Sequence, residues 1–272
     1  MAKATRTLTT RYRSIFISDV HLGFRGAQAE FLLTFLRQTE SDNLYLVGDI
    51  VDLWEMHRRR RVHWPDAHTA VIHEILRKAE NGTRVIYVPG NHDEALRDYA
   101  GSEVRCVSVH REIVHETADG RRLLVFHGDE FDTVVQCGPL LTALGNHAYD
   151  TLLWLNRWVN RARRLLGFPY WSLAHAVKHR VANATDYIAR FEHAAAREAR
   201  RRGVDGVVCG HIHRAEIERI DGVLYTNCGD WVESCTALTE AADGHLALVH
   251  WSDAARVTLK RCDATPPRQA AA

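Results

Sequence analysis

Five short stretches of this 272-residue chain place potential metal ligands directly after an apolar run. They are Ser18-Asp19-Val20-His21, Gly48-Asp49, Gly90-Asn91-His92-Asp93, His127-Gly128-Asp129 and Gly210-His211-Ile212-His213. Imidazoles, carboxylates and one amide, with no thiolate among them, suit Mn²⁺, Fe²⁺ or Zn²⁺ in a reactive centre better than a structural zinc site. In extended backbone, residues i and i+2 point the same way, so Asp19 and His21 are expected to face one ion, and His211 and His213 likewise. An aspartate such as Asp49 can bridge two ions through its two oxygens. Asn91 offers a neutral carbonyl oxygen, and His127 adds another imidazole. Two ions held about 4 Å apart lower the pKa of a bridging water and clamp phosphoryl oxygens during in-line attack. A lone D-x-H or H-x-H arises by chance on polar loops. Five such loops in this order, each behind an apolar strand, point to a dimetal site.

The elements that must position these loops alternate. Arg13 to Ile17 reads as a first strand, followed by a helix with Phe31, Leu32, Leu33, Phe35 and Leu36 on its apolar face and a break over Thr39 to Asn43. Asn43 to Val47 is a second buried strand that runs into Gly48-Asp49. Trp54 to Asp66 reads as a long polar loop carrying Arg58 to Arg61. The next helix presents Val71, Ile72, Ile75, Leu76 and Ala79 and stops at Asn81-Gly82. Arg84 to Val88 completes a β-α-β-α-β pattern, the signature of a sheet with helices packed on it. Shorter strands follow over 104–109, 112–115 and 122–126, the last two joined by Asp119-Gly120 as a hairpin.

Character changes after Asp132. From Gly138 to Arg202 the spacing is helical: Leu141, Leu144, Ala148, Leu152, Leu155 and Val159 step by three and four, then Leu173, Val177, Val181, Ala184, Ile188, Phe191 and Ala195 do the same. Trp154, Trp158, Phe168, Tyr170 and Trp171 exceed what one stripe needs. The segment either packs on the core as a helical pair or offers part of its surface as an apolar groove for a ligand. β structure resumes at 206–209, 216–220, 223–227, 236–240, 246–251 and 257–261, with Asp221-Gly222 and Asp243-Gly244 as hairpin turns. The expected organisation is therefore a core of 13–137 and 203–262 interrupted by a helical cap insertion over 138–202, with a loose N-terminus and a disordered tail after Asp263.

Composition narrows the classes. Apolar residues make up 46% and charged residues 25%, as in an ordinary globular protein able to bury a sizeable core. The formal charge of +1 hides basic clusters at Arg58 to Arg61, Arg161 to Arg164 and Arg200 to Arg202. These are either solvated faces or contacts for a phosphate or lipid headgroup. No apolar run reaches the ~20 residues of a membrane-spanning helix. Six cysteines without C-x-x-C spacing, behind no secretory leader, fit free thiols in a reducing cytoplasm. Cys209 and Cys228, beside the motif loops, read as small buried fillers. His57, His63, His68, His73, His110, His115, His147, His175, His179, His193, His245 and His250 read as surface or satisfied core residues. Asp93 is expected either to cap the helix after it, the preferred role, or to partner His92.

The five blocks resemble the calcineurin-like metallophosphoesterases, whose pattern is D-x-H, G-D, G-N-H-[DE], H and G-H-x-H. The resemblance runs from Ser14 to about Trp251, apart from the insertion. It implies an α/β fold, a two-sheet αββα metallophosphoesterase sandwich with the site at the strand ends. By motif it implies Asp19, His21, Asp49 and His213 on one ion and Asp49, Asn91, His127 and His211 on the other. It also implies that His92 faces the scissile phosphate and protonates the leaving group or steadies developing charge. Within that superfamily the chain is most similar to the UDP-2,3-diacylglucosamine diphosphatase family of lipid A synthesis. The spacing from Asp19 to His127, the position of the insertion, and Asn227-Cys228-Gly229-Asp230-Trp231 followed by Val232-Glu233-Ser234 carry that similarity. It implies Mn²⁺-dependent attack of metal-activated hydroxide on the diphosphate of UDP-2,3-diacylglucosamine, giving UMP and 2,3-diacylglucosamine 1-phosphate. The cap would hold the acyl chains, and Asp132 and Lys178 are its candidate substrate contacts. The implied partner is a nucleotide-linked glycolipid, with no nucleic acid, in a cytoplasmic protein touching the inner membrane surface peripherally. The best-known members of that family carry arginine after the asparagine, whereas His92 stands here, as in generic phosphoesterases. The alternative is thus another nucleotide or phosphate ester cut by the same mechanism.

Overall fold

The computed structural model describes residues 9–58, 62–132, 159, 163, 166, 182–252 and 255–261. The chain begins with β1 (Thr10–Ile17), α1 (Ala29–Gln38), β2 (Thr39–Val47), α2 (Leu53–Arg58), α3 (Asp66–Glu80) and β3 (Arg84–Val88). Two short strands, β4 (Glu103–Val104) and β5 (Val107–Val109), precede the hairpin of β6 (Ile113–Glu116) and β7 (Arg122–Val125). After α4 (Ala182–Arg202) come β8 (Gly206–Cys209), β9 (Glu216–Ile220), β10 (Val223–Asn227), β11 (Thr236–Glu240), β12 (Leu246–Ser252) and β13 (Ala255–Arg261).

These strands form two mixed sheets. The first has the order β13-β12-β11-β1-β2-β3-β5-β4, and the second β6-β7-β8-β10-β9. Strands β1, β2, β3 and β5 run parallel, as do β7, β8 and β10. Four of them, β1, β2, β3 and β8, lead into the first, second, third and fifth motif loops, and β7 leads into the fourth. All five loops therefore leave carboxyl ends of strands, where open α/β sheets bind their ligands. Phe16, Tyr45, Val47, Ile86, Leu123, Val208 and Leu224 fill the space between the sheets. Phe31, Phe35, Val71 and Ile75 of α1 and α3 cover the outer face of the first sheet. Ile188, Phe191, Ala195 and Ala199 of α4 cover the outer face of the second, against Leu124, Val207 and Tyr225. The result is the expected αββα layering.

Two local expectations fail for identifiable reasons. Thr39 to Asn43 does not merely break a helix. It is the first half of β2, because Thr39 to Ser41 pair with Thr10 to Tyr12 and alternate buried with exposed. The polar loop expected from Trp54 begins as α2 instead. The Asp52 carboxylate accepts from Glu55 N–H at 2.8 Å, and the Arg58 guanidinium lies 4.7 Å from the Trp54 ring centroid. The spacing Asp52-x-x-Glu55 is the sequence signature of such a start. Within the expected insertion, residues 133–181 fall outside the described residues except for three isolated positions, as does Lys178. The expected disordered tail also lies there. Cys106, Cys209, Cys228 and Cys235 are free thiols, the last three buried.

A buried polar cluster ties the sheets together at the end of β1 away from the motif loops. Glu240 on β11 is fully buried, and Arg13 on β1 donates to both its oxygens at 2.7 and 2.9 Å. His115 on β6, in the other sheet, reaches Glu240 through Nε2 at 2.9 Å and Tyr45 Oη through Nδ1 at 2.9 Å. His115 is thus the satisfied core histidine that the sequence suggests. Burial alone would raise the Glu240 pKa, but the bonds from His115, Ser14 and the Ala118 N–H hold it below the ordinary glutamate value. A depressed carboxyl stabilises the fold above its unfolded pKa and loses that contribution as pH falls. Glu240→Ala leaves the half-buried Arg13 guanidinium and the buried His115 imidazole without their counterpart. The expected loss is about 3–5 kcal/mol in urea denaturation at neutral pH, and the gap to wild type should narrow on acidification below pH ~4.

Candidate metal centre

Three of the five motif loops, the first, second and fifth, turn by a backbone conformation that side chains resist. Asp19, His21, Asp49, His211 and His213 have φ of 52°, 53°, 55°, 69° and 54°. Left-handed backbone at a non-glycine residue costs of order 1 kcal/mol or more and persists only where surroundings impose it. Here they do. Asp19 N–H donates to Gly48 O, and Val20 and His21 N–H both donate to Asp49 O, at 2.8–3.0 Å. Trp231 N–H donates to Asp19 O and Gly210 N–H to His127 O, each at 3.0 Å. The expectation that Asp19 and His21, and His211 and His213, share a side because their backbone is extended is therefore incorrect. The pairs curl, and the curl brings them inward. Space is made by glycine. A β-carbon on Gly48, itself at φ 76°, would collide with the His127 imidazole, and one on Gly90 would collide with the Asp49 carboxylate.

The side chains converge in overlapping groups. Asp19, His21 and His213 offer ligand atoms within 4.8 Å of one another, as do His21, Asp49 and His92, and Asp19, Asp49 and His127. Asp49 sits between them: its Oδ1 accepts from the His92 N–H at 2.8 Å, while Oδ2 lies 3.8 Å from His21 Nε2 and 3.4 Å from His127 Nε2. Asp19 Oδ1 is 3.2 Å from His213 Nε2, close enough for an ion pair but not aligned as a hydrogen bond. His211 belongs to none of these groups. Its ring centre lies 5.2 Å from that of His127, and its backbone N–H donates to Asp19 Oδ2 at 2.9 Å.

Protein groups behind the rings fix which nitrogen faces inward. His127 Nδ1 donates to Val47 O at 3.0 Å, and His21 Nδ1 donates to Asp52 Oδ2 at 3.1 Å, so both rings turn Nε2 toward the centre. His92 Nδ1 donates to the other Asp52 oxygen at 2.9 Å. Asp52 went unrecognised among the site residues, although it stands three positions after Asp49. The spacing G-D-x-x-D is its signal in the sequence, and the same carboxylate also caps α2. Asp93 neither caps the following 3₁₀ turn with its side chain nor partners His92. Fully buried, it accepts from the N–H groups of Gly90 and Ile50 at 2.6 and 2.8 Å and from the Tyr87 hydroxyl at 2.5 Å, clamping the second loop to the third. Asp132 accepts from His211 Nε2 and from the Tyr187 hydroxyl, each at 2.8 Å.

The electrostatics are those of a cation site. Burial would raise the Asp19 pKa, yet His213 and then His127 hold it at about 2. Burial would lower the His21 pKa, yet Asp52, Asp49 and Asp19 push it up to about 9. Asp49 is likewise held far below the carboxylate range, chiefly by His127, whose own pKa its carboxylate raises against burial. Protons on imidazoles are thus the positive charge available to these acids, and a divalent ion would displace them. Five buried atoms in this one place have no hydrogen-bond partner: Asp19 Oδ1, His21 Nε2, Asn91 Oδ1, His127 Nε2 and His213 Nδ1. Orphaned buried polar atoms are rare in folded proteins, and each costs about 1–3 kcal/mol. Oxygen and imidazole donors gathered in this way fit a pair of divalent ions.

Comparison with known proteins agrees with this geometry. The sequence pattern of the calcineurin-like phosphoesterases matches residues 12–215. A UDP-2,3-diacylglucosamine hydrolase from Neisseria gonorrhoeae is 27% identical over 233 residues, covering 80% of this chain and 89% of that one. Another from Neisseria meningitidis serogroup B is 26% identical over 231 residues, covering 79% and 88%. Among solved structures, a phosphoesterase from E. coli aligns over 91% of this chain and 99% of its own, with 15% identity and a TM-score of 0.44.

Two outcomes are expected. At a free Mn²⁺ concentration one hundred times its Kd, binding adds about 2.7 kcal/mol. Thermal melts with Mn²⁺ should then lie roughly 5–10 °C above melts with EDTA. Gly48→Ala, which puts a methyl group against His127 and strains a left-handed turn, should abolish most of that shift.

Proposed function

The chain belongs to the calcineurin-like phosphoesterase family, and on that premise we propose that this metal-dependent hydrolase cleaves the diphosphate of UDP-2,3-diacylglucosamine. The products are UMP and 2,3-diacylglucosamine 1-phosphate, with one water consumed. The observation that carries the substrate is the match to UDP-2,3-diacylglucosamine hydrolases over about four-fifths of this chain and nine-tenths of theirs.

In this reading Asp19, His21, Asp49 and His213 hold one ion, and Asp49, Asn91, His127 and His211 the other. Mn²⁺ is the proposed metal, with Fe²⁺ and Zn²⁺ as alternatives. The bound ions supply Lewis-acid polarisation and a water acidified toward neutral pH. The protein supplies the rest. Asp49, whose Oδ2 lies between His21 and His127, would contribute to holding both ions. His92 has the most open side chain of the motif imidazoles, 26% exposed against 16% or less for the others. Its Nδ1 is bound to Asp52, which in this reading leaves Nε2 for a phosphoryl oxygen or the departing group. The segment 138–202 is the proposed acyl-holding insertion, with Lys178 and the basic clusters on the anionic headgroup. No helix among the described residues is long and apolar enough to cross a membrane. A diacylated substrate places the enzyme peripherally, on the cytoplasmic face of the inner membrane in this proposal.

A second reading keeps the mechanism and changes the substrate, because His92 stands where the resemblance expects arginine. A panel of esters separates the two. Purified protein with Mn²⁺ and UDP-2,3-diacylglucosamine should release UMP, and absence of UMP removes this substrate. Rapid turnover of p-nitrophenyl phosphate esters, with no gain from acyl chains, favours the second reading. In either case His92→Ala should lower kcat by about 10²–10⁴-fold while leaving bound metal unchanged by elemental analysis.

A further inference from the structure

His127 and His211 sit side by side, yet they are held differently. His127 is fixed by a backbone carbonyl in the core of the sandwich. His211 is fixed by a side chain that arrives from a separate turn. After Gly128 the chain makes a 3₁₀ turn over Asp129–Phe131, and Asp132 follows it. That turn is anchored on both sides. Arg97 donates to both oxygens of Asp129 at 2.7 and 2.8 Å, tying the turn to the segment after His92. The Phe131 ring packs on Phe126 and on Phe191 of α4, with centroids 5.5 and 5.8 Å away. The position of Asp132 is therefore set by packing.

From there Asp132 Oδ1 accepts from His211 Nε2–H, and the hydroxyl of Tyr187, on α4, donates to the same oxygen. A neutral imidazole that gives its proton-bearing Nε2 to a carboxylate has Nδ1 as its lone-pair nitrogen. We propose that Asp132 is a positioning residue for the metal centre: it fixes the tautomer and orientation of His211 so that Nδ1 serves as a ligand, with Tyr187 holding Asp132 in place. The chain Tyr187–Asp132–His211 then links α4, the last helix of the expected insertion, to one ion. Asp132 was a candidate substrate contact by sequence, and this inference gives it a different task. It rests on the proposed role of His211, and the test separates the two.

Purified full-length protein is titrated with Mn²⁺ by calorimetry, with bound ions counted by electron paramagnetic resonance and each variant's fold checked by circular dichroism. Wild type should bind two equivalents. Asp132→Ala should weaken one of them by about ten- to hundredfold and leave the other unchanged. Asp132→Asn should recover most of that loss, since its carbonyl oxygen still accepts from Nε2–H. His211→Ala should lose the same equivalent. In ¹⁵N spectra of the metal-free protein, His211 should be a single Nε2–H tautomer in wild type and a mixture in Asp132→Ala. If Asp132→Ala binds both ions normally while His211→Ala loses one, positioning by Asp132 is overturned and the ligand stands. A raised KM with unchanged metal affinity overturns it too, in favour of a substrate contact. If His211→Ala keeps both ions, the ligand assignment falls and the proposal with it. Should Asp132→Ala not fold, Tyr187→Phe carries the test. It should weaken the same equivalent by about two- to tenfold, and no change would count against the chain.

Discussion

Asp19 and Asp49 are carboxylates buried among imidazoles at one end of a β-sandwich, where water does not screen them. Two such charges cannot be left in the interior without positive charge beside them. Much of the architecture serves that constraint. The strands of two sheets end together, three of the loops turn through left-handed backbone, and glycines make room at Gly48 and Gly90. The site stores conformational cost at five positions; backbone hydrogen bonds between loops hold Asp19, His21 and Asp49, and the Asp19 carboxylate holds the His211 N–H. A first loop held by the second, a second clamped to the third by Asp93, a fourth bonded to the fifth, and a fifth bonded to the first through His211 N–H and Asp19 form one connected set. A change at one loop is therefore felt at the others.

Much of this was legible in the sequence. The strands at Arg84–Val88, Gly206–Cys209, Glu216–Ile220, Val223–Asn227 and Thr236–Glu240 fall where apolar runs and turn residues place them. Apolar runs at Arg84–Val88 and Gly206–Cys209, and the Asp221-Gly222 turn between Glu216–Ile220 and Val223–Asn227, leave little ambiguity. The convergence of Asp19, His21, Asp49, His127 and His213 was also legible, because each follows a strand end. What failed was the argument for how they converge. A period-two strand rule describes residues inside a strand, and these lie just beyond it, where hydrogen bonds between loops set the backbone. The start of β2 at Thr39 was lost for a related reason, since its strand character comes from pairing with Thr10 to Tyr12 and not from its own composition.

Residues that act through another residue were the hardest to find. Asp93 reads locally as a helix cap and Asp132 as a substrate contact, Asp52 belongs to no motif block, and local reading assigns such a residue one purpose at most. Asp52 holds two imidazoles from different loops while capping α2. Asp93 collects N–H groups from a loop more than forty residues away. Only the pairing of distant loops turns these acids into supports, and spacing within one motif carries no trace of that.

The sandwich contains a second buried cluster of the same chemistry, and the contrast between the two is informative. At the far end of β1, Arg13, Tyr45, His115 and Glu240 also gather charge and imidazole between the sheets. There the protein completes itself: a guanidinium meets a carboxylate, and both ring nitrogens of His115 have partners. At the motif loops the outward nitrogens of the His127, His21 and His211 rings are answered by Val47, Asp52 and Asp132, whereas the inward nitrogens of His21 and His127 are not. Residue type alone does not separate a structural cluster from a reactive one, since both use histidine and acid in low exposure. The difference lies in which atoms are satisfied. A fold able to satisfy every donor and acceptor around His115 has the means to do so around His127. Inward-facing atoms held open by fully bonded supports describe a place shaped for an external cation.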